Sequence, residues 1–154
     1  MKIPHPCHRS LRATGLALLC AWSLLLAAAE PGPALPPVVQ SGLTLLASGG
    51  PQPAVESWCQ GGILERVEGT SMVRERQLKD YANLLGNYRA YELIETRAIG
   101  RTSQLLYLTL NFERGAVYAR FLVCRADKQW VVQSLAFDTR PEAIMPWLET
   151  SQSQ

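Results

Sequence analysis

The stretch Leu105-Leu106-Tyr107-Leu108-Thr109-Leu110-Asn111-Phe112 decides the fold class. It is rich in strand formers, and its even positions are all apolar while its odd positions mix Leu105 and Tyr107 with Thr109 and Asn111. That is the period-two pattern of a strand with one buried face. Glu113-Arg114-Gly115-Ala116 follows, and its glycine permits the positive φ of a tight hairpin. The next strand runs from Val117 to Arg125. With Arg114-Gly115 as a two-residue loop, Phe112 faces Val117, Leu110 faces Ala119, Leu108 faces Phe121 and Leu106 faces Val123. All eight residues are apolar, so this register lays one continuous greasy face against a core. On the other face it pairs Asn111 with Tyr118, Thr109 with Arg120, Tyr107 with Leu122 and Leu105 with Cys124.

Moving outward, Ala126 to Gln129 is the next turn and Trp130 to Asp138 the last strand. Its register stays open, because a three-residue loop shifts every pairing by one. Tyr91 to Arg101 reads as the first strand, with weaker alternation and a turn near Gly100 to Ser103. Four consecutive strands joined by short turns form an antiparallel sheet, since parallel strands need long crossovers.

Upstream, the chain reads as helical. Val38 to Ser48 carries apolar residues three and four apart, and Gly49-Gly50-Pro51 stops it. Pro53 opens a second helix that ends near Gly61-Gly62. Ile63 to Gly69 fits either a helix or a loop. Thr70 or Ser71 then caps a longer helix through Leu85. Its expected buried side is Met72, Leu78, Tyr81, Leu84 and Leu85. Pro141 to Leu148 forms a short helix or turn, with Ile144, Trp147 and Leu148 covering an edge. Helices first and a curved four-stranded antiparallel sheet after them make an α+β domain.

Met1 to Arg12 carries Lys2, Arg9 and Arg12, and Leu16 to Ala29 is uncharged and mostly Leu and Ala. Ala27-Ala28-Ala29 places small residues where a signal peptidase cuts, so residues 1–29 are expected to be a cleaved signal peptide. The apolar run is short for a membrane span. Glu30 to Pro37 is Pro-rich and reads as an extended tether, leaving 38–150 as one domain. A mature chain of about 125 residues suits one core. It keeps twelve basic and thirteen acidic residues, a net charge of −1. No basic footprint for nucleic acid survives. Both histidines, His5 and His8, fall in the leader.

The order of elements, with Leu85-Gly86-Asn87-Tyr88-Arg89-Ala90-Tyr91-Glu92-Leu93-Ile94-Glu95, Leu106 to Phe121 and Trp130 to Asp138, resembles the nuclear transport factor 2-like (cystatin-like cone) superfamily. Within it, the chain looks like the small secreted bacterial branch. The resemblance covers roughly residues 38–148. It implies a sheet wrapped around helices, an open end that can form a pocket, and frequent dimers. Its enzymes place an acidic base or a His–Asp pair in that pocket, and a mature chain without histidine cannot supply the pair. The resemblance is one of architecture and apolar positions, and it specifies function poorly.

The candidate residues fall into four groups. Trp58, Tyr81 and Phe121 either line a ligand pocket or belong to the core. Tyr107, Thr109, Asn111, Tyr118 and Arg120 share the mixed face of the central hairpin, which is either a contact surface or a solvated sheet face. Cys59 and Cys124 are the thiols left after the leader, and an oxidising compartment favours a disulfide between them. The mixed-face position of Cys124 argues against that bond. Glu92, Glu95, Glu113 and Asp138 are the carboxylates near the sheet, either solvated charges or, if one is buried, a general base. No zinc ligand set, phosphate loop or Ser–His arrangement is present.

These residues point to an exported, non-enzymatic module without cofactor or metal. It would bind a small apolar ligand or a protein partner, with a homodimer or an envelope protein as the partners to test. The alternatives are a carboxylate-dependent isomerase- or hydrolase-like enzyme and an accessory subunit of an envelope complex.

Overall fold

The computed structural model describes residues 34–147. The expected leader, the first half of the Pro-rich tether and the end of the chain lie outside the described residues. Four helices precede the sheet: α1 (Pro37–Gly49), α2 (Pro51–Cys59), α3 (Ile63–Arg66) and α4 (Thr70–Leu85). Strands β1 (Tyr88–Ile99), β2 (Ser103–Phe112), β3 (Gly115–Ala126) and β4 (Gln129–Asp138) follow, and α5 (Pro141–Ile144) comes last. The strands pair antiparallel in the order β1-β2-β3-β4. The α+β arrangement read from the sequence is therefore the one the chain adopts.

The helix starts differ from expectation in small ways. Prolines stand in the first turns of α1 and α2, where the missing N–H costs nothing. They begin those helices at Pro37 and Pro51, earlier than the expected Val38 and Pro53. Neither Thr70 nor Ser71 caps α4. The cap position is Gly69, in the left-handed region at φ 78°, and no side chain bonds there.

The central hairpin has the expected faces but a different register. Phe112 pairs with Gly115, Leu110 with Val117, Leu108 with Ala119 and Leu106 with Phe121. The loop is thus Glu113-Arg114, and every pairing falls two residues earlier along β3 than expected. A slip of two preserves every face, because side chains alternate with period two. Gly115 is a strand residue with ordinary φ, not the turn residue. What fixes the loop is its seat on α4. Glu113 N–H donates to the Asn87 carbonyl at 3.1 Å, and Arg114 N–H to the Leu85 carbonyl at 2.9 Å. Gly115 lies against Leu85, whose Cδ2 would stand 3.2 Å from an added Cβ.

The outer strands contain the irregularities. β1 starts at Tyr88 and has register shifts between Tyr88 and Ala90 and between Leu93 and Glu95. Each inserts one residue, Arg89 or Ile94, and each flips the facing of the residues beyond it. This is why the alternation of β1 is weak in the sequence. In β4 the shift skips Gln133, so Val132 and Leu135 both reach the core although they are three apart. The β3–β4 loop is Asp127-Lys128, with Asp127 at φ 54°.

The core lies between the helices and one face of the sheet. Val39, Leu43 and Leu46 of α1, and Ala54, Val55 and Trp58 of α2, meet Leu108, Leu110, Val117, Phe121 and Phe137. Burying a large apolar side chain contributes about 1.5–3 kcal/mol. Trp58 sits at the centre, edge-on to Phe121 with ring centroids 5.1 Å apart, and its indole N–H donates to the Val39 carbonyl at 3.1 Å. Gly42 gives the indole its space, since a Cβ there would fall on the ring.

α4 departs most from its expected packing. Leu78 is fully buried, but Met72 and Leu84 are 66% and 67% exposed. The helix packs chiefly against α2 at the margin of the layer, reaching β3 and β4 more sparsely. Only a narrow stripe is covered, and Gln77 ties it to the sheet by donating to the Phe137 carbonyl at 2.9 Å. No helix among the described residues is long and apolar enough to cross a membrane.

Candidate interaction surface

The sheet face turned away from the helices is built from the odd positions of β2 and the even positions of β3. It brings together Tyr107, Thr109, Asn111, Tyr118 and Arg120, with Thr109 opposite Tyr118 and Tyr107 opposite Arg120. Four of these are partly exposed. Tyr107 is only 4% exposed, because the chain after β4 folds back over it. Ile144 and Met145 are buried there, with Leu105, Tyr118, Ala136 and Trp147 packed around them. The expected cover over a sheet edge is instead a cover over the sheet face. The spacing of Ile144 and Trp147 behind Pro141 is its signal in the sequence.

The charges on this face are mostly engaged. Glu92 accepts a hydrogen bond from Asn111 at 2.9 Å. Glu95 accepts two from Arg97, at 2.6 and 3.2 Å, and these are the main cause of the raised Arg97 pKa. Arg97 also stacks on Trp147, its guanidinium carbon 3.8 Å from the ring centroid. Asp138 accepts from the Arg140 N–H at 2.9 Å. Desolvation pulls the Asp138 pKa upward, but the Arg140 and Thr139 donors and the Arg140 charge outweigh it, and the carboxyl titrates below its usual range. Arg120 differs: among the described residues it has no carboxylate within ion-pair distance.

Of the three aromatics that read either as pocket lining or as core, two belong to the core. Trp58 and Phe121 are completely buried and in contact, so they fill the core and leave no cavity between them. Tyr81 is partly buried on α4, its hydroxyl 3.5 Å from the Gln77 amide nitrogen. Open spaces lie elsewhere. A groove of about 620 Å³ runs beside α1 and α2, lined by Ser41, Glu56, Ser57, Gln60, Glu65 and Ser71 among others. A smaller hollow of about 350 Å³ lies where Leu46, Pro51, Asn83, Tyr88 and Phe112 converge. Burial, and then the nearby Tyr91, push the Tyr88 phenol up to about 12.

Cys59 and Cys124 stand as two separate free thiols, without the disulfide that an oxidising compartment would favour. Cys59 is buried in the core on α2, and Cys124 belongs to the outer face of β3, opposite Ser103 and Val131. The sheet stands between them. Burial raises the Cys59 pKa, against a smaller opposing pull from Arg74. Glu92, Glu95, Glu113 and Asp138 all lie at the surface, and no charged or polar residue among the described ones is buried. No group of three or more metal-ligating side chains forms among the described residues.

Neither a protein-family model nor a curated protein matches the chain. Among solved structures, the chain is similar to an NTF-2 like protein of unknown function from Silicibacter pomeroyi DSS-3. The two share 15% identity over 67% of this chain and 90% of that one, with a TM-score of 0.46.

Proposed function

We propose that this chain is an exported interaction module that engages a protein partner through the outer face of its sheet. The observation that carries the reading is Arg120. It is a half-buried arginine on an aromatic sheet face, between Tyr107 and Ala136, with no carboxylate partner among the described residues. A guanidinium without a carboxylate partner keeps its planar fork of donors free for an acidic or carbonyl-rich partner surface. Arg and Tyr are also the side chains that most often anchor interface centres. Export rests on the leader sequence. The filled aromatic core favours a partner on the surface over a ligand enclosed between helices and sheet.

Native mass spectrometry of the full chain, recovered after export, tests this. The wild-type protein is expected as a complex, with a second copy or another protein. Arg120→Glu is expected to release the complex while circular dichroism stays unchanged. Wild-type protein recovered only as a free monomer at micromolar concentration would overturn the proposal.

A further inference from the structure

The segment after β4 occupies a built seat on the outer face. Asp138 Oδ1 holds the bend at Thr139-Arg140 by accepting the Arg140 N–H at 2.9 Å. The chain then lays Ile144 and Met145 onto the sheet, at 3% and 4% exposure, against Tyr107, Tyr118 and Ala136. Trp147 completes the contact, edge-on to Tyr107 at 4.7 Å between centroids. Arg97, held by Glu95, closes the far end of the seat as a cation over the indole.

Two features make this cover separable from the domain. Its apolar contacts form a cluster of their own, distinct from the main core on the other face of the sheet. Lifting it therefore leaves Trp58 and its neighbours packed. Its helix α5 is a single turn with no side-chain cap, so little regular structure holds it down. Segments with few buried contacts open well below the global unfolding free energy. The seat would then offer an apolar floor with a guanidinium at its rim. That chemistry takes a short peptide with an aliphatic pair and an aromatic two positions on, as in Ile144-Met145-Pro146-Trp147.

We propose that this seat is a peptide-binding site that residues 141–147 fill in cis, and that a partner segment of the same aliphatic–aromatic chemistry displaces them. The inference rests on the reading of the outer face as an interaction surface, and it names both the partner's chemistry and a means of regulation. Displacement uncovers Tyr107, the cross-strand neighbour of Arg120, and so enlarges the contact face around that guanidinium.

A fluorescein-labelled peptide with the sequence of residues 140–149 is the probe, and the protein is the full chain. Ile144→Ala/Trp147→Ala protein is expected to bind the peptide at least about tenfold more tightly than wild type, because the cis competitor is weakened. Adding Arg97→Ala is expected to weaken that binding by about tenfold, because the cation under the indole is lost. No binding to a natively folded Ile144→Ala/Trp147→Ala chain, or binding equal to wild type, overturns the proposal. If the variant does not fold, hydrogen exchange of the wild-type chain decides. Excess peptide should speed exchange at residues 143–147 and leave β3 protected, and unchanged exchange at saturating peptide overturns the idea. A lost peptide effect with an intact Arg120-dependent complex sinks the cis cover alone. A lost Arg120-dependent complex with intact peptide binding sinks the broader reading alone.

Discussion

Arg114 closes the C-terminal end of α4 on Leu84. Its Nη2 donates to the Leu84 carbonyl at 2.8 Å and its Nε to the same oxygen at 3.1 Å. The last carbonyls of a helix lack partners within it and carry its negative pole, so a guanidinium there is favourable twice over. Because Arg114 is half of the β2–β3 loop, the same bonds pin the hairpin to the helix layer and set its register. Arg114→Ala is expected to lower unfolding free energy by about 1–2 kcal/mol, since hydrogen bonds to charged groups contribute more than neutral ones and exposure discounts them. Arg114→Lys keeps the charge but not the fork. Urea unfolding should rank wild type above Lys and Lys above Ala. Equal stability of Lys and wild type would show that charge alone acts.

Gly42 and Trp58 form the second dependency. A methyl group at Gly42 falls on the indole, which is completely buried. Gly42→Ala must displace Trp58 or separate α1 from α2, and overpacking of this kind typically costs about 1–3 kcal/mol. Trp58→Ala removes the indole instead and is expected to cost about 3–5 kcal/mol. Thermal unfolding checks both. Gly42→Ala should lower stability although alanine is the better helix former, and a rise in Tm would sink the packing account.

Two groups set opposite limits in pH. The Glu113 pKa lies below its ordinary value, held there first by hydrogen bonds from Asn87 and then by Arg89 and Arg114. A depressed acid stabilises the fold above its unfolded pKa and ceases to do so as pH falls through the folded one. Glu113→Gln should therefore cost stability at neutral pH and nothing near pH 2. Tyr88 works in the other direction. Its phenol, pushed up to about 12 by burial, keeps its proton where the unfolded chain has lost it. The unfolded state then binds fewer protons, and stability falls as pH rises from 10 toward 12. Alkaline titration of tyrosine absorbance should show one late-ionising phenol, absent in Tyr88→Phe. A Tyr88→Phe chain that retains the late step would assign it to another residue.

The strand faces were legible because burial writes period two directly into β2 and β3. Registers were less so, since a slip of two keeps every face and only the seat of Glu113, Arg114 and Gly115 on the end of α4 distinguishes the two pairings. In β1 and β4 the bulges at Arg89, Ile94 and Gln133 break the period, and a break reads as a weak strand. α4 misled in a different way. Met72 and Leu84 fit a helical stripe, but a helix at the edge of its layer buries only part of one. Of the candidate surface, the shared face of its five residues followed from alternation. The covering of Tyr107 did not, because the cover depends on where Thr139 and Arg140 turn the chain after the last strand.

The thiols give the last test. Cys59 is buried on the helix side, where desolvation disfavours its thiolate, while Cys124 is partly exposed on the outer face. Thiolate is the reactive form, so burial slows Cys59 both by access and by protonation. In a chain with Cys7 and Cys20 replaced by serine, native protein should therefore show one fast and one slow thiol toward a disulfide reagent, and two fast thiols once denatured without reductant. Cys124→Ser should remove the fast step and leave the slow one. Cys59→Ala tests the packing role separately, because it opens space beside Trp58 in a core that holds α2 to the sheet. The lost buried volume sets its expected cost at about 1–2 kcal/mol. Cys124→Ser on the outer face should be close to neutral. Denatured protein with no reactive thiol would mean that the two cysteines are bonded, and that bond requires Cys59 and Cys124 to come to the same side of the sheet.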